Sequence, residues 1–194
     1  MTTTDRATKA PSAAGRPRSA AARGTILAAA YDLVVRRGYA AVTTAEIAVA
    51  AGAGKQTIYR WWPGKADLVL DALEHHGAAD IDPAGAEAGG LEAFLARVCA
   101  RATAAGPVLR SLMAEAQSDP LLRRELKTRL IEPRQDALRG ALSGADPALR
   151  ESLVLAIDGA LWRRLLLDEP LDQGFVSAMS ALARAGGAGG LAKP

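Results

Sequence analysis

The sequence predicts an all-α protein, with a small N-terminal three-helix unit followed by a larger C-terminal helical domain. Three observations point there. Hydrophobic residues make up 49% of the 194-residue chain. Alanine supplies much of that share and β-branched residues are few, a mix that favours helices. Apolar residues recur at helical spacing in segment after segment, with no competing strand alternation. Pro and Gly fall where such segments start and stop.

Taken in order, residues 1–18 combine Thr, Ala, Pro, Gly and basic side chains and read as a disordered basic tail. The tail has no apolar h-region and does not read as a secretory signal. A first helix is predicted over about 20–37, where Ile26, Ala30, Leu33 and Val34 share a face, Arg36 and Arg37 fill the last turn and Gly38 ends it. Thr44 reads as the N-cap of a short helix over about 45–51. That placement puts Ile47, not Glu46, at the third helical position and leaves no capping box. Gly52, Ala53 and Gly54 make a turn, and a second short helix runs from Lys55 to near Trp61, where Pro63 and Gly64 break it. Gly64 caps a further helix, with Asp67 near its positive end, that runs to about His76. Residues 77–90 read as a Gly/Ala/Pro-rich linker. Helices are then predicted over 91–104, 106–118, 120–142 (with a bend at Pro133), 147–167 and 171–185, before a flexible tail over 186–194. The predicted domains are therefore 19–76 and 91–185.

The net charge of +3 hides an asymmetry. Residues 1–66 carry ten Lys/Arg against three Asp/Glu, a net of +7, and the remainder carries fourteen against eighteen, a net of −4. A basic first third on an acidic remainder is the footprint of a polyanion partner. No apolar run reaches about 18 residues, so no membrane span is expected. The single Cys99 excludes an internal disulfide and fits a reducing cytoplasm, the compartment expected for this chain.

The chain is 4% aromatic, yet Tyr59, Trp61 and Trp62 fall within four residues, among Lys55, Arg60 and Lys65. Two short helices joined by a Gly-containing turn have the spacing of a helix-turn-helix, whose second helix enters the major groove of double-stranded DNA. Its first residues here are Lys55, Gln56 and Thr57. Gln pairs with adenine in bidentate fashion, Lys reaches guanine or a phosphate, and the Thr methyl touches a thymine methyl. The polar tips of Tyr59 and Trp61 suit phosphate contacts, although core packing would also account for both. Trp62, further round the helix, suits the core. Lys65 sits at a helix N-terminus and strengthens an anion site there, and Thr43 or Thr44 does the same for the helix before the turn.

The stretch TTAEIAVAAGAGKQTIYRWWPGKADLVLDAL resembles the N-terminal domain of TetR/AcrR-type repressors. The family's pattern is met by Thr44, Ile47-Ala48, Ala51-Gly52, Lys55, Thr57-Ile58-Tyr59, Trp61-Trp62 and Lys65, within about residues 20–76. The resemblance implies a cytoplasmic homodimeric repressor whose C-terminal domain binds a small molecule. It also implies DNA contacts at Gln56, Thr57, Tyr59, Trp61 and Lys65. Two positions depart from the family. Gly54 stands where Ser is usual and removes a side-chain N-cap. Gln56 often has a small counterpart, so the bases read are expected to differ.

The resemblance places the dimer interface on the last two long helices. Ala156, Gly159, Ala160, Ala178, Ala181 and Ala185 would permit close approach there, beside a Leu149, Leu153, Ile157, Leu161 stripe that packs either across the dimer or within the monomer. Candidate effector-pocket walls are Phe94, Leu112, Met113, Gln117 and Trp162, each of which could equally be plain core. No cofactor or metal is expected, because His75 and His76 are adjacent and point about 100° apart on a helix without a partner ligand at suitable spacing. Cys99 reads as a small buried hydrophobe. GAGK at 52–55 is too short for a phosphate loop, and no nucleophile elbow is present, which argues against an enzyme. A sequence-indifferent architectural DNA binder is the other alternative. Against it stand the base-reading types at Lys55, Gln56 and Thr57 and the lack of an apolar wedge. The expected function is a ligand-responsive, sequence-specific transcriptional regulator.

Overall fold

A computed structural model describes residues 15–76 and 84–186, and every regular element among them is helical. The N-terminal part contains α1 (Gly15–Arg37), α2 (Thr44–Ala50), α3 (Lys55–Trp61) and α4 (Lys65–His75). The second part contains α5 (Ala84–Ala104), α6 (Gly106–Glu115), α7 (Pro120–Leu126), α8 (Glu132–Ala141), α9 (Pro147–Leu166) and α10 (Gln173–Ala185). A five-residue π-helical turn, Lys127–Ile131, joins α7 to α8.

The first helix starts before the predicted 20. Residues 15–18 belong to it, whereas the rest of the expected tail (1–14) lies outside the described residues. Pro17 is compatible with this start, because the first-turn N–H groups of a helix need no intrahelical acceptor. Ile26, Leu27, Ala30 and Val34 of α1 are buried against α4 and α2. Gly38 ends the helix at φ +77 and donates its N–H to Val34 O at 2.8 Å.

At α2 the cap differs from expectation by one residue. Thr43, not Thr44, is the N-cap: its hydroxyl accepts from Glu46 N at 3.2 Å, and Glu46 Oε2 accepts from Thr43 N at 2.9 Å. Glu46 is thus the third helical residue and the capping box closes. Arg37, in the last turn of α1, pairs with Glu46 at 2.8 Å and donates to Ala41 O, which ties the helix ends together. The Thr43 hydroxyl and Arg37 pull the Glu46 carboxyl down to about 2. What this ionised partner contributes is present above the ordinary Glu range and is lost only as pH falls toward that value.

Of the predicted linker, residues 84–89 are helical and form the first part of α5, which kinks at the non-helical Gly90 (φ 68), while 77–83 lie outside the described residues. α5 packs against α8, α10, α9 and α6. Asp119, Asp146 and Asp172 cap α7, α9 and α10 by accepting backbone N–H bonds. In place of a simple bend at Pro133 there is the π-turn, in which Glu132 N–H reaches Lys127 O. Pro133 has no N–H to offer the carbonyl four residues back, and the wider turn makes room for its ring. The π-turn also explains a spacing. Leu122, Leu126, Leu130, Arg134 and Leu138 are all buried four residues apart, a string that drifts about 40° per step in an unbroken α-helix.

One buried ion pair lies between α8 and α9. Arg134 and Asp158 are each 6% exposed, their contact is 2.6 Å, and Gln135 donates to the second Asp158 oxygen at 3.0 Å. The Arg134 guanidinium also lies 4.8 Å from the Trp162 ring. The two parts of the chain meet where α1 packs on α6 and α4 on α7. The Tyr31 hydroxyl of α1 reaches Ala104 O at 3.5 Å across this boundary, and within the N-terminal part its ring stacks on exposed His76 at 4.0 Å.

Candidate nucleic-acid interface

α3 has one inward and one outward face. Ile58 is fully buried, and Trp62, the C-cap residue, is 2% exposed. Around the helix from them, Lys55, Gln56, Tyr59 and Arg60 are exposed, at the i, i+1, i+4, i+5 spacing of a single face. Thr57 is half-buried, so of the three expected base readers it is turned partly inward. Gly54 caps α3 with backbone only, and no side-chain bond supports that end.

The aromatic cluster divides its work. Tyr59 is 54% exposed, and its hydroxyl sits 2.9 Å from Thr44 Oγ1 at the start of α2. These two polar groups, expected to face phosphate, therefore share one point of the surface. Trp61 is half-buried against the core, edge-on to Trp62 at 5.5 Å, with the Arg60 guanidinium 5.5 Å from its ring. Trp62 is the core anchor, and its indole N–H donates to Asp71 Oδ2 at 2.8 Å.

Lys65, first residue of α4, is half-buried. It donates to Tyr39 O at 2.9 Å and lies 3.9 Å from the Tyr39 ring. Burial lowers its pKa, with Glu115 and Asp119 across the domain boundary partly offsetting the effect. An ammonium has three donors, so this bond leaves others for a phosphate. Thr43 is committed to the capping box.

None of the residues expected to line an effector pocket borders the cleft described below. Phe94 and Leu112 are buried core, Met113 is half-buried, and Trp162 is buried beneath Arg134. Gln117 is exposed and folds back to donate to Met113 O, which excludes it as an interior wall. A cleft of about 250 Å³ is lined instead by Thr103, Arg110, Leu165 and the turn 168–171. Burial pushes the Cys99 thiol up to about 11, out of range of thiolate chemistry at neutral pH.

Sequence reasoning missed Asp71. Its one signal was a lone acid inside the apolar run of Leu68, Val69, Leu70, Ala72 and Leu73.

Residues 26–72 match the family described as bacterial regulatory proteins, tetR family. The chain is 32% identical over 164 residues to the HTH-type transcriptional regulator YdeS of Bacillus subtilis, spanning 79% of this chain and 82% of that protein. It is 30% identical over 179 residues to the DNA-binding transcriptional repressor TetR of Mycobacteroides abscessus, spanning 86% and 92%. Its fold is that of a TetR-family regulator from Mesorhizobium loti, with a TM-score of 0.64 at 21% identity over 85% of this chain and 98% of the other. The helix-turn-helix geometry, the family match and relatives aligned along most of their length lead to one conclusion: the chain belongs to the TetR family of DNA-binding transcriptional regulators.

Proposed function

We propose that the protein is a homodimeric repressor that reads its operator with the N-terminal half of α3 and leaves it when a small molecule enters the helical domain. The observation that carries this reading is the division of α3, with Ile58 and Trp62 anchored inward and Lys55 and Gln56 presented outward at the helix start. The repressor named in Mycobacteroides abscessus, alignable over 92% of its length, supports the direction of regulation. For the effector, the supporting feature is the buried polar centre of α8 and α9. There the Trp162 indole N–H is buried without a hydrogen-bond partner. An unpartnered buried donor costs about 1–3 kcal/mol, and a ligand acceptor would remove that cost.

The dimer reading is supported by the outward faces of α9 and α10. Ala156, Gly159, Ala178, Ala181 and Ala185 are exposed, together with Leu155, Leu166 and Leu182. The stripe of Leu149, Leu153, Ile157 and Leu161 serves the monomer instead: its last three members are buried and only Leu149 is exposed.

Two substitutions test the DNA contacts. Gln56→Ala is expected to relax base preference at one position per half-site, at a cost of about 1–3 kcal/mol in discrimination. Selection of sites from a randomised pool checks this, and an unchanged preference removes Gln56 from base reading. Lys65→Ala is expected to weaken all DNA alike and to reduce the slope of log affinity against log salt by roughly one unit per half-site. A salt titration with an unchanged slope takes Lys65 out of the phosphate contacts.

A further inference from the structure

The Asp71 carboxylate is a junction of four elements. Its Oδ2 accepts from the Trp62 indole at 2.8 Å and from Arg23 of α1 at 2.5 Å. Its Oδ1 accepts from Arg129 of the π-turn at 2.5 Å. Arg129 also grips Glu74, one turn further along α4, at 2.7 and 2.9 Å, and the Arg23 guanidinium lies 5.4 Å from the Trp62 ring. The arrangement is mostly shielded, with the Arg129 side chain 23% and the Asp71 side chain 20% exposed. Burial raises the Asp71 pKa, but the hydrogen bonds from Trp62 and Arg129 and the charges of Arg129 and Arg23 outweigh it, and the carboxyl titrates below its ordinary range. Asp71 is therefore an ionised acceptor at neutral pH and binds all three donors together.

The mechanical consequence follows from the helix. Trp62 ends α3, and Lys55, seven residues earlier, stands about 10 Å away along the axis. A tilt of roughly 10° pivoting on Trp62 would move the base-reading end by about 2 Å, enough to lose bidentate hydrogen bonds. The only arm in this junction that comes from the helical domain is Arg129, and it is carried by an irregular turn of the kind that recurs at functional sites.

We propose that Arg129 and Asp71 are positioning residues for DNA recognition: Arg129 sets the carboxylate that holds Trp62, and thereby sets the angle of α3. The proposal rests on the DNA-reading function above. Of Arg129's two ion pairs with α4, it assigns the link between the helical domain and the recognition helix to the one with Asp71, rather than to the domain contact as a whole.

The test uses the full-length protein, 15N-labelled, as wild type and as Arg129→Gln, Arg129→Lys and Arg139→Gln. Arg139 makes exposed pairs with Glu151 and Asp136 inside the helical domain and controls for loss of one charge. Two quantities are read: the indole N–H resonance of Trp62, identified with Trp62→Phe, and the affinity for a selected DNA site relative to random DNA. In Arg129→Gln the Trp62 resonance shifts and affinity for the selected site falls about five- to 150-fold, the usual span of coupling between sites, with random DNA bound as before. Arg129→Lys restores part of both effects, and Arg139→Gln changes neither. Should Arg129→Gln not fold, Asp71→Asn takes its place with the same expected readouts. The proposal is overturned by an unmoved resonance, by wild-type affinity for the selected site, or by an equal loss in Arg139→Gln. A wild-type protein that selects no site would instead sink the DNA-reading function beneath it, while the resonance would still decide whether the junction exists.

Discussion

Gly159→Glu is expected to leave the monomer folded, convert the protein to a monomer and weaken binding to a two-half-site operator by about 100-fold or more. Gly159 is exposed and a Cβ built there meets nothing within 4 Å, so in the monomer the new side chain starts without a clash and on the solvent side. Replacing Gly in a helix interior also recovers up to about 1 kcal/mol of helix propensity, so the fold is not at risk. What the new carboxylate obstructs is the approach of another chain to the small-residue face of α9, where it would be buried without a partner. A dimer holds two recognition helices on one DNA, and losing the second removes the gain from linked binding. Sedimentation velocity reads the mass and a gel shift reads the affinity. Gly159→Ala serves as control, staying dimeric and as stable as wild type or more so. A Gly159→Glu protein that remains dimeric would move the interface away from α9.

Asp158→Ala is expected to cost about 3–5 kcal/mol of stability, because it leaves the Arg134 charge buried and uncompensated. Arg134 and Asp158 are both 6% exposed, and the groups around the pair include the Trp162 ring and the Gln135 amide. Removing both charges is a different experiment. Arg134→Met together with Asp158→Leu is expected to fold with near-wild-type stability, since a buried pair replaced by apolar groups of similar volume is often neutral. Urea denaturation of the two proteins separates these outcomes. An Asp158→Ala protein as stable as wild type would mean that water reaches Arg134. If the double replacement keeps its stability but no longer responds to effector, the pair serves ligand binding rather than folding.

Local chemistry made most elements legible. Gly38, Gly52, Pro63 and Gly64 punctuate the N-terminal helices in the predicted order, and Ile58 and Trp62 face inward as the spacing of α3 requires. The misses share a cause, which is that contacts from distant parts of the chain choose between local options. Thr43 and Thr44 both suit an N-cap. Glu46 three residues after Thr43 favours the first, and Arg37 from α1 completes the choice by pairing with that Glu. The leucines of α9 at four-residue spacing suit a monomer core or a dimer seam, and only the packing of α9 against its neighbours α8, α5, α6 and α10 shows that three of the four positions are used inside. The π-turn was half visible: Pro133 marked the place, but the buried string from Leu122 to Leu138 could not be known before its partners were. Asp71 is the clearest case. Its isolation among apolar neighbours is written in α4, yet its partner Arg129 is 58 residues away, across a domain boundary.

The most direct test of the central claim, that α3 reads a specific operator, is selection from a randomised double-stranded DNA pool by the wild-type protein at physiological salt. The predicted result is an enriched inverted repeat with half-site centres about 34–36 Å apart, or a multiple of that spacing, as two symmetry-related recognition helices require. Salt-sensitive binding with no enriched sequence would contradict it, because the basic N-terminal part would then hold DNA by its phosphates alone.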